Sequence, residues 1–122
     1  MFKEKVTELK QQLIQDASLV EEMIAKSIKG LLDSKEGMLL DVVNTQEPKV
    51  NAYDRRIDEL CVQLIAQFEP VARDLRLVIM MIKMNKDLER IADHAVNISE
   101  SSLFLIRQPS LGKYDDLKVM SE

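Results

Sequence analysis

Glycine and proline are scarce, with three of each in 122 residues. The chain has few places to turn sharply, which favours a few long elements over many short ones. Cysteine occurs once, as Cys61. No intramolecular disulfide can form, and that fits a reducing compartment. Tryptophan is absent and aromatic residues make up only 4%. The core must therefore be built from Leu, Ile, Val, Ala and Met. No apolar run approaches the roughly 20 residues that a membrane-spanning helix needs. The opening Met-Phe-Lys-Glu-Lys moves straight into a helical pattern, with no signal-peptide apolar core. Positive charge is not in excess either: the net charge is -4, which argues against a nucleic-acid surface. These absences lead us to expect a cytoplasmic protein with no nucleic-acid partner.

The dominant feature present is helical periodicity. Val6, Leu9, Leu13, Ala17, Val20, Met23, Ile24, Ile28 and Leu31 recur at three- and four-residue steps. They predict an amphipathic helix over about residues 3–32. Asp33-Ser34 is a stop, with Ser34 able to cap the next helix, and residues 35–44 read as a short helical piece weakened by Gly37. Thr45 is an expected N-cap for a second long helix, because Pro48 is tolerable only in a first turn. That helix runs to about Phe68, with Val50, Ile57, Leu60, Cys61 and Leu64 on its apolar side. Pro70 suits the start of a third helix. The period then continues through Leu75, Val78, Ile82, Ile91, Ala95 and Ile98 to about Ile106, roughly 35 residues or about 50 Å. Three long helices joined by short turns predict an all-α fold, an antiparallel up-down-up three-helix bundle over residues 1–108. Residues 109–122 read as a linker and the start of a further unit.

Two polar stripes interrupt this pattern. Glu89 and Asp93 lie four apart in the third helix and so stack on one face. Asn85 and Asn97 extend the same stripe. In the second helix Glu47, Asn51, Asp54 and Asp58 share a face. If the two helices are antiparallel and turn over near Pro70, equal rise places Glu47 level with Asp93 and Asn51 level with Glu89. Asp54 falls one turn away, level with Lys86. Glu47, Asn51, Glu89 and Asp93, with Asp54 beside them, would form an all-oxygen site for a hard or borderline cation such as Mg²⁺, Mn²⁺, Ca²⁺ or iron. Zn²⁺ also accepts carboxylates, although a dedicated tetrahedral zinc site is not expected without Cys pairs or several His. Spacing alone leaves a second reading open. Acids four apart are common on solvated helix faces, and a solvated edge is the commoner reading of such a pair.

Residues 85–100, Asn-Lys-Asp-Leu-Glu-Arg-Ile-Ala-Asp-His-Ala-Val-Asn-Ile-Ser-Glu, resemble the signature of the PhoU family of phosphate-signalling proteins. Residues 69–78, Glu-Pro-Val-Ala-Arg-Asp-Leu-Arg-Leu-Val, resemble that family's entry to the third helix, and the spacing between the two blocks fits. The family's usual Gly before the acid is Ala92 here. Family members usually hold two three-helix repeats, and this chain resembles the N-terminal one. The resemblance thus implies either half of a longer protein or a short variant that forms a homo-oligomer.

The resemblance also implies metal binding through paired Glu/Asp-x-x-x-Asp motifs. Glu89 and Asp93 match one motif. Glu47 and Asn51 match its partner, with Asn in place of the second acid, which favours a single cation over a multi-iron cluster. The implied function is non-enzymatic: negative regulation of the phosphate-starvation response. It would act by contact with the ATPase subunit of a phosphate ABC transporter and with a sensor histidine kinase, reaching the membrane only through these partners. A competing reading is a histidine phosphotransfer bundle using His94. The residues after His94, Ala95-Val96-Asn97, match neither the acidic follower of kinase dimerisation helices nor the His-x-x-Lys-Gly of phosphotransfer domains.

Overall fold

The computed structural model describes residues 1–108. Residues 109–122, where a linker and the start of a second unit were expected, lie outside the described residues. Helix α1 covers Phe2–Leu32. A short helix α2, Glu36–Asp41, leads through a π-helical turn, Val42–Gln46, into α3, Glu47–Phe68. Helix α4 covers Ala72–Ile106. The backbone stays right-handed helical at Val42, Gln46 and Glu47, so residues 36–68 form one rod. Three rods running up, down and up make the all-α bundle that the periodicity predicts.

The turns have local causes. At the end of α1 the Ser34 N–H donates to the Leu31 carbonyl, and the Lys35 N–H to the Gly30 carbonyl at 2.9 Å. With Ser34 at φ 54° this is a Schellman closure. Ser34 therefore ends α1 rather than capping α2, whose first flanking residue is Lys35. Glu69 closes α3 in the same left-handed region, with φ 44° and ψ 53°, and its N–H donates to the Ile65 carbonyl at 3.0 Å. Pro70 follows, as is common after such an ending. The α4 helix starts two residues later than Pro70, with Val71 extended before it.

The expected N-cap at Thr45 is not a helix start. Thr45 lies inside the π turn, where the Glu47 N–H donates five residues back to the Val42 carbonyl. Pro48 explains the wide turn. Its ring crowds the carbonyl four residues earlier and it has no N–H to offer. One extra residue in the turn lets the rod continue past it.

Two apolar clusters fill the bundle. One contains Val6, Leu9, Leu13, Ile57, Cys61, Leu64, Val78 and Met81. Beyond it the Phe2 and Phe68 rings pack edge-on, 5.5 Å apart. The other contains Val20, Met23, Val42, Val50, Ala92, Ala95 and Val96. Leu88 packs against both. Ion pairs tie the rods together at the far end: Lys26 Nζ to Asp41 Oδ2 at 2.6 Å, and Arg107 to Glu36. No helix among the described residues is long and apolar enough to cross a membrane.

Candidate functional site

The two apolar clusters are separated by a polar layer. In α1 the stripe passes from Leu13 to Val20 with Asp16 between them. In α3 it passes from Val50 to Ile57 with Asp54 between them, and in α4 from Met81 to Ala92 with Asn85 between them. All three rods drop an apolar residue at one level. Asn85 is 3% exposed, and its Nδ2 donates to the Asp54 carbonyl at 3.1 Å and to Asp54 Oδ1 at 2.9 Å. The oxygen of that amide, Asn85 Oδ1, is buried without a hydrogen-bond partner. Asp16 is 1% exposed, and neither of its carboxylate oxygens has a partner.

The acids form a ladder from solvent inward. Asp93 is exposed, Glu89 and Asp54 are half-buried, and Asp16 is buried. Burial, reinforced by the charge of Asp54, pushes the Asp16 carboxyl up to about 6. Asp54 is also raised, by burial and by Asp58. A hydrogen bond with Glu89, the Asn85 amide and the charge of Lys86 oppose that rise. Glu89 is raised first by the Asp54 charge, then by burial and by Asp93. Like charges crowd this face, and the direction of every shift says that added positive charge or a proton would relieve it.

The structure brings together Asp54, Glu89 and, through charge, Asp93. Of the other two expected ligands, Asn51 is exposed and Glu47 is half-buried. The expected register holds to within a residue: Asp54, expected level with Lys86, takes its hydrogen bonds from the neighbouring Asn85. Among the described residues no three His, Cys, Asp or Glu side chains are already gathered as a metal shell. Asp16 was missed from the sequence. Its signal was present, because it stands at the third position after Leu13 and the fourth before Val20, where the stripe calls for an apolar residue. Ala17 beside it carries the same period and hides the substitution.

His94 lies elsewhere. It is exposed and lines a cleft of about 500 Å³ with Leu31, Asn97, Ile98, Ser101, Ser102 and Leu105. Cys61 is buried in the first apolar cluster, and burial pushes its thiol up to about 11. It is a core residue rather than a reactive thiol.

This is a helical bundle with a polar layer that opens on one face into an acidic ladder. The PhoU domain model matches residues 13–102, and the chain belongs to that family. It is 34% identical over its full length to the phosphate-specific transport system accessory protein PhoU homolog of Aquifex aeolicus, covering 54% of that protein. It is 36% identical over 83% of its length to the homolog of Deinococcus radiodurans, covering 47%. It is 31% identical over 99% of its length to homolog 1 of Thermotoga maritima, covering 51%. The chain thus spans about half the length of these relatives.

Proposed function

We propose that this chain is a non-enzymatic regulatory bundle of a phosphate uptake system, a negative regulator of the response to phosphate starvation. The similarity along the whole chain to accessory proteins of phosphate-specific transport carries this reading. Its partners in the cytoplasm would be the ATPase subunit of the transporter and a sensor histidine kinase. The test is a binding measurement between the purified chain and the purified ATPase subunit, paired with reporter expression in cells lacking the gene. Binding together with derepression in phosphate-rich medium supports the reading. No binding and unchanged repression would sink it.

The acidic face serves here as a cation site. Asp54, Glu89 and Asp93 would hold a divalent cation or iron, with Glu47 and Asn51 extending the ladder along α3. The all-oxygen donor set suits a hard cation, and a cation there would offset the charge of Asp54 and Asp93 that raises Glu89. The cation would supply charge neutralisation and a fixed geometry between α3 and α4.

A second copy of this chain is the expected occupant of the apolar groove between α1 and α4. Two adjoining clefts of about 270 and 210 Å³ lie there, lined by Leu13, Ile14, Leu77, Met80, Met84 and Leu88 among others. The relatives are about twice as long, so a second three-helix unit is the partner of matching size.

A further inference from the structure

We propose that Asp16 is an inner ligand, and that the polar layer of Asp16, Asp54 and Asn85 takes one hard divalent cation inside the bundle, beneath the acidic face. This rests on the reading of that face as a cation site, and it adds a residue from the first helix to a site otherwise built from α3 and α4.

Three observations carry it. First, both oxygens of Asp16 are unpartnered although the side chain is 1% exposed. Removing a carboxylate from water without a counter-charge or hydrogen bonds is costly. Among the described residues no ion pair reaches it. Second, Asn85 is buried and has its amide nitrogen spent on Asp54 and its oxygen, Oδ1, without a partner. Its bond to Asp54 fixes that free oxygen in the same layer as Asp16. Third, all three rods place their polar residue at one level, between two apolar clusters. A single unpaired polar residue would be a local defect. Three at one level, two of them with unpartnered oxygens, leave spare acceptors together in one buried layer.

The donor set identifies the ligand class. Two carboxylates and an amide oxygen are hard donors, with no sulfur or imidazole among them. Such a set suits Mg²⁺ or Mn²⁺, which are bound through one or two carboxylates and keep several waters. Glu89 is half-buried on α4, close enough for the Asp54 charge to act on it, and less buried than Asn85 and Asp16. The inner position also gives the cation a role that a surface site lacks. It would join α1 to α3 and α4 at mid-bundle, so loading would stiffen all three rods together.

Mn²⁺ is the probe. The chain, stripped with chelator and then freed of it, is titrated with Mn²⁺ by calorimetry, with free Mn²⁺ followed by its paramagnetic resonance signal. Its unfolding temperature is read with and without the ion. The variants are Asp16→Asn, Asp16→Leu and Glu89→Gln. The expected result is Mn²⁺ binding and a raised unfolding temperature in the natural chain. Both Asp16 variants should fold and lose at least about tenfold in affinity, a loss that even removing a hydrogen-bond partner of a metal ligand can cause. Asp16→Leu continues the Leu13–Val20 stripe, so it keeps the test alive if the Asn variant folds poorly. Wild-type Mn²⁺ affinity in either Asp16 variant overturns the inner ligand. If Glu89→Gln has meanwhile lost affinity, the surface site stands without it. If the natural chain does not bind Mn²⁺, both readings fall.

Discussion

Asn85 donates two hydrogen bonds to one residue, reaching the Asp54 carbonyl at 3.1 Å and Asp54 Oδ1 at 2.9 Å. This amide locks α4 to α3 between the two apolar clusters. It also holds the Asp54 carboxylate facing the layer, where Asp16 feels its charge. Replacing Asn85 with Ala removes a charge-assisted bond and should cost about 1–3 kcal/mol in urea unfolding. Asn85→Asp should cost more at neutral pH, because it adds a third carboxylate to the layer. The gap between the two variants should narrow as the pH falls and carboxylates protonate. Equal stability of Asn85→Asp and the natural chain at neutral pH would contradict the crowding of negative charge.

Asp16 sets a pH dependence whose sign is fixed by its burial. Its carboxyl is raised from 3.8 to about 6, so in this window the folded chain binds a proton that the unfolded chain has released. Stability should therefore fall as pH rises from about 4 to about 6, by up to about 3 kcal/mol at 1.36 kcal/mol per pKa unit. Asp54 and Glu89, also raised, add in the same direction. Asp41 acts oppositely: its hydrogen bond from Lys26 lowers it, so its contribution is lost as pH falls below the ordinary carboxylate range. In chelator, the Asp16→Asn variant should show a clearly flatter stability profile between pH 4 and 6 than the natural chain. Parallel profiles would remove Asp16 from the account.

Much of the fold was legible in the sequence, and the parts that were not share a physical cause. The apolar period located all three rods because each has one buried stripe, such as Leu9, Leu13, Val20 and Met23 in α1. The turn at Glu69-Pro70 was legible because proline cannot extend a helix. The passage through Thr45 was not. A polar residue before a proline looks the same whether the helix starts there or widens to a π turn, and only packing decides. The register of α3 against α4 was legible too: equal rise sets Asp54 level with Lys86, and it is the neighbouring Asn85 that bonds to Asp54. Asp16 was hidden by its neighbour: Ala17 supplies the expected apolar residue one position later, while Asp16 is the residue that faces the layer.

Gly30 is a close-approach position. A Cβ there would meet Leu39 Cδ2 at 2.7 Å and Leu39 Cγ at 2.8 Å, with the Lys35 carbonyl at 3.3 Å. Leu39 is fully buried and has little room to give. Alanine is otherwise favoured over glycine in a helix, by about 1 kcal/mol, so propensity alone forecasts stabilisation. Overpacking of a filled core costs about 1–3 kcal/mol, and the overlap here should win. Gly30→Ala should lower the unfolding temperature, and the double variant Gly30→Ala/Leu39→Ala should recover less than it loses, because it opens a cavity. Stabilisation by Gly30→Ala alone would show that Leu39 moves freely.

The groove between α1 and α4 is tested by charge. Ile14 is 66% exposed, Met80 56% and Met84 46%, and they line adjoining apolar clefts. Scattered exposed apolar residues are ordinary, but a contiguous patch is a docking surface or a liability. Methionine suits a surface that must adapt to a partner. Met84→Glu places a carboxylate in the centre of the groove beside Asp87, which lines the same cleft. A second copy seated there would have to desolvate that charge. Light scattering should find the natural chain as a dimer and Met84→Glu as a monomer, with unchanged helical content by circular dichroism. Phe104→Glu is the control. Phe104 is about as exposed as Ile14 but lies outside these clefts, so this variant should stay dimeric. A natural chain that is monomeric at all concentrations, or a dimer that survives Met84→Glu, would assign the groove to something other than a second copy.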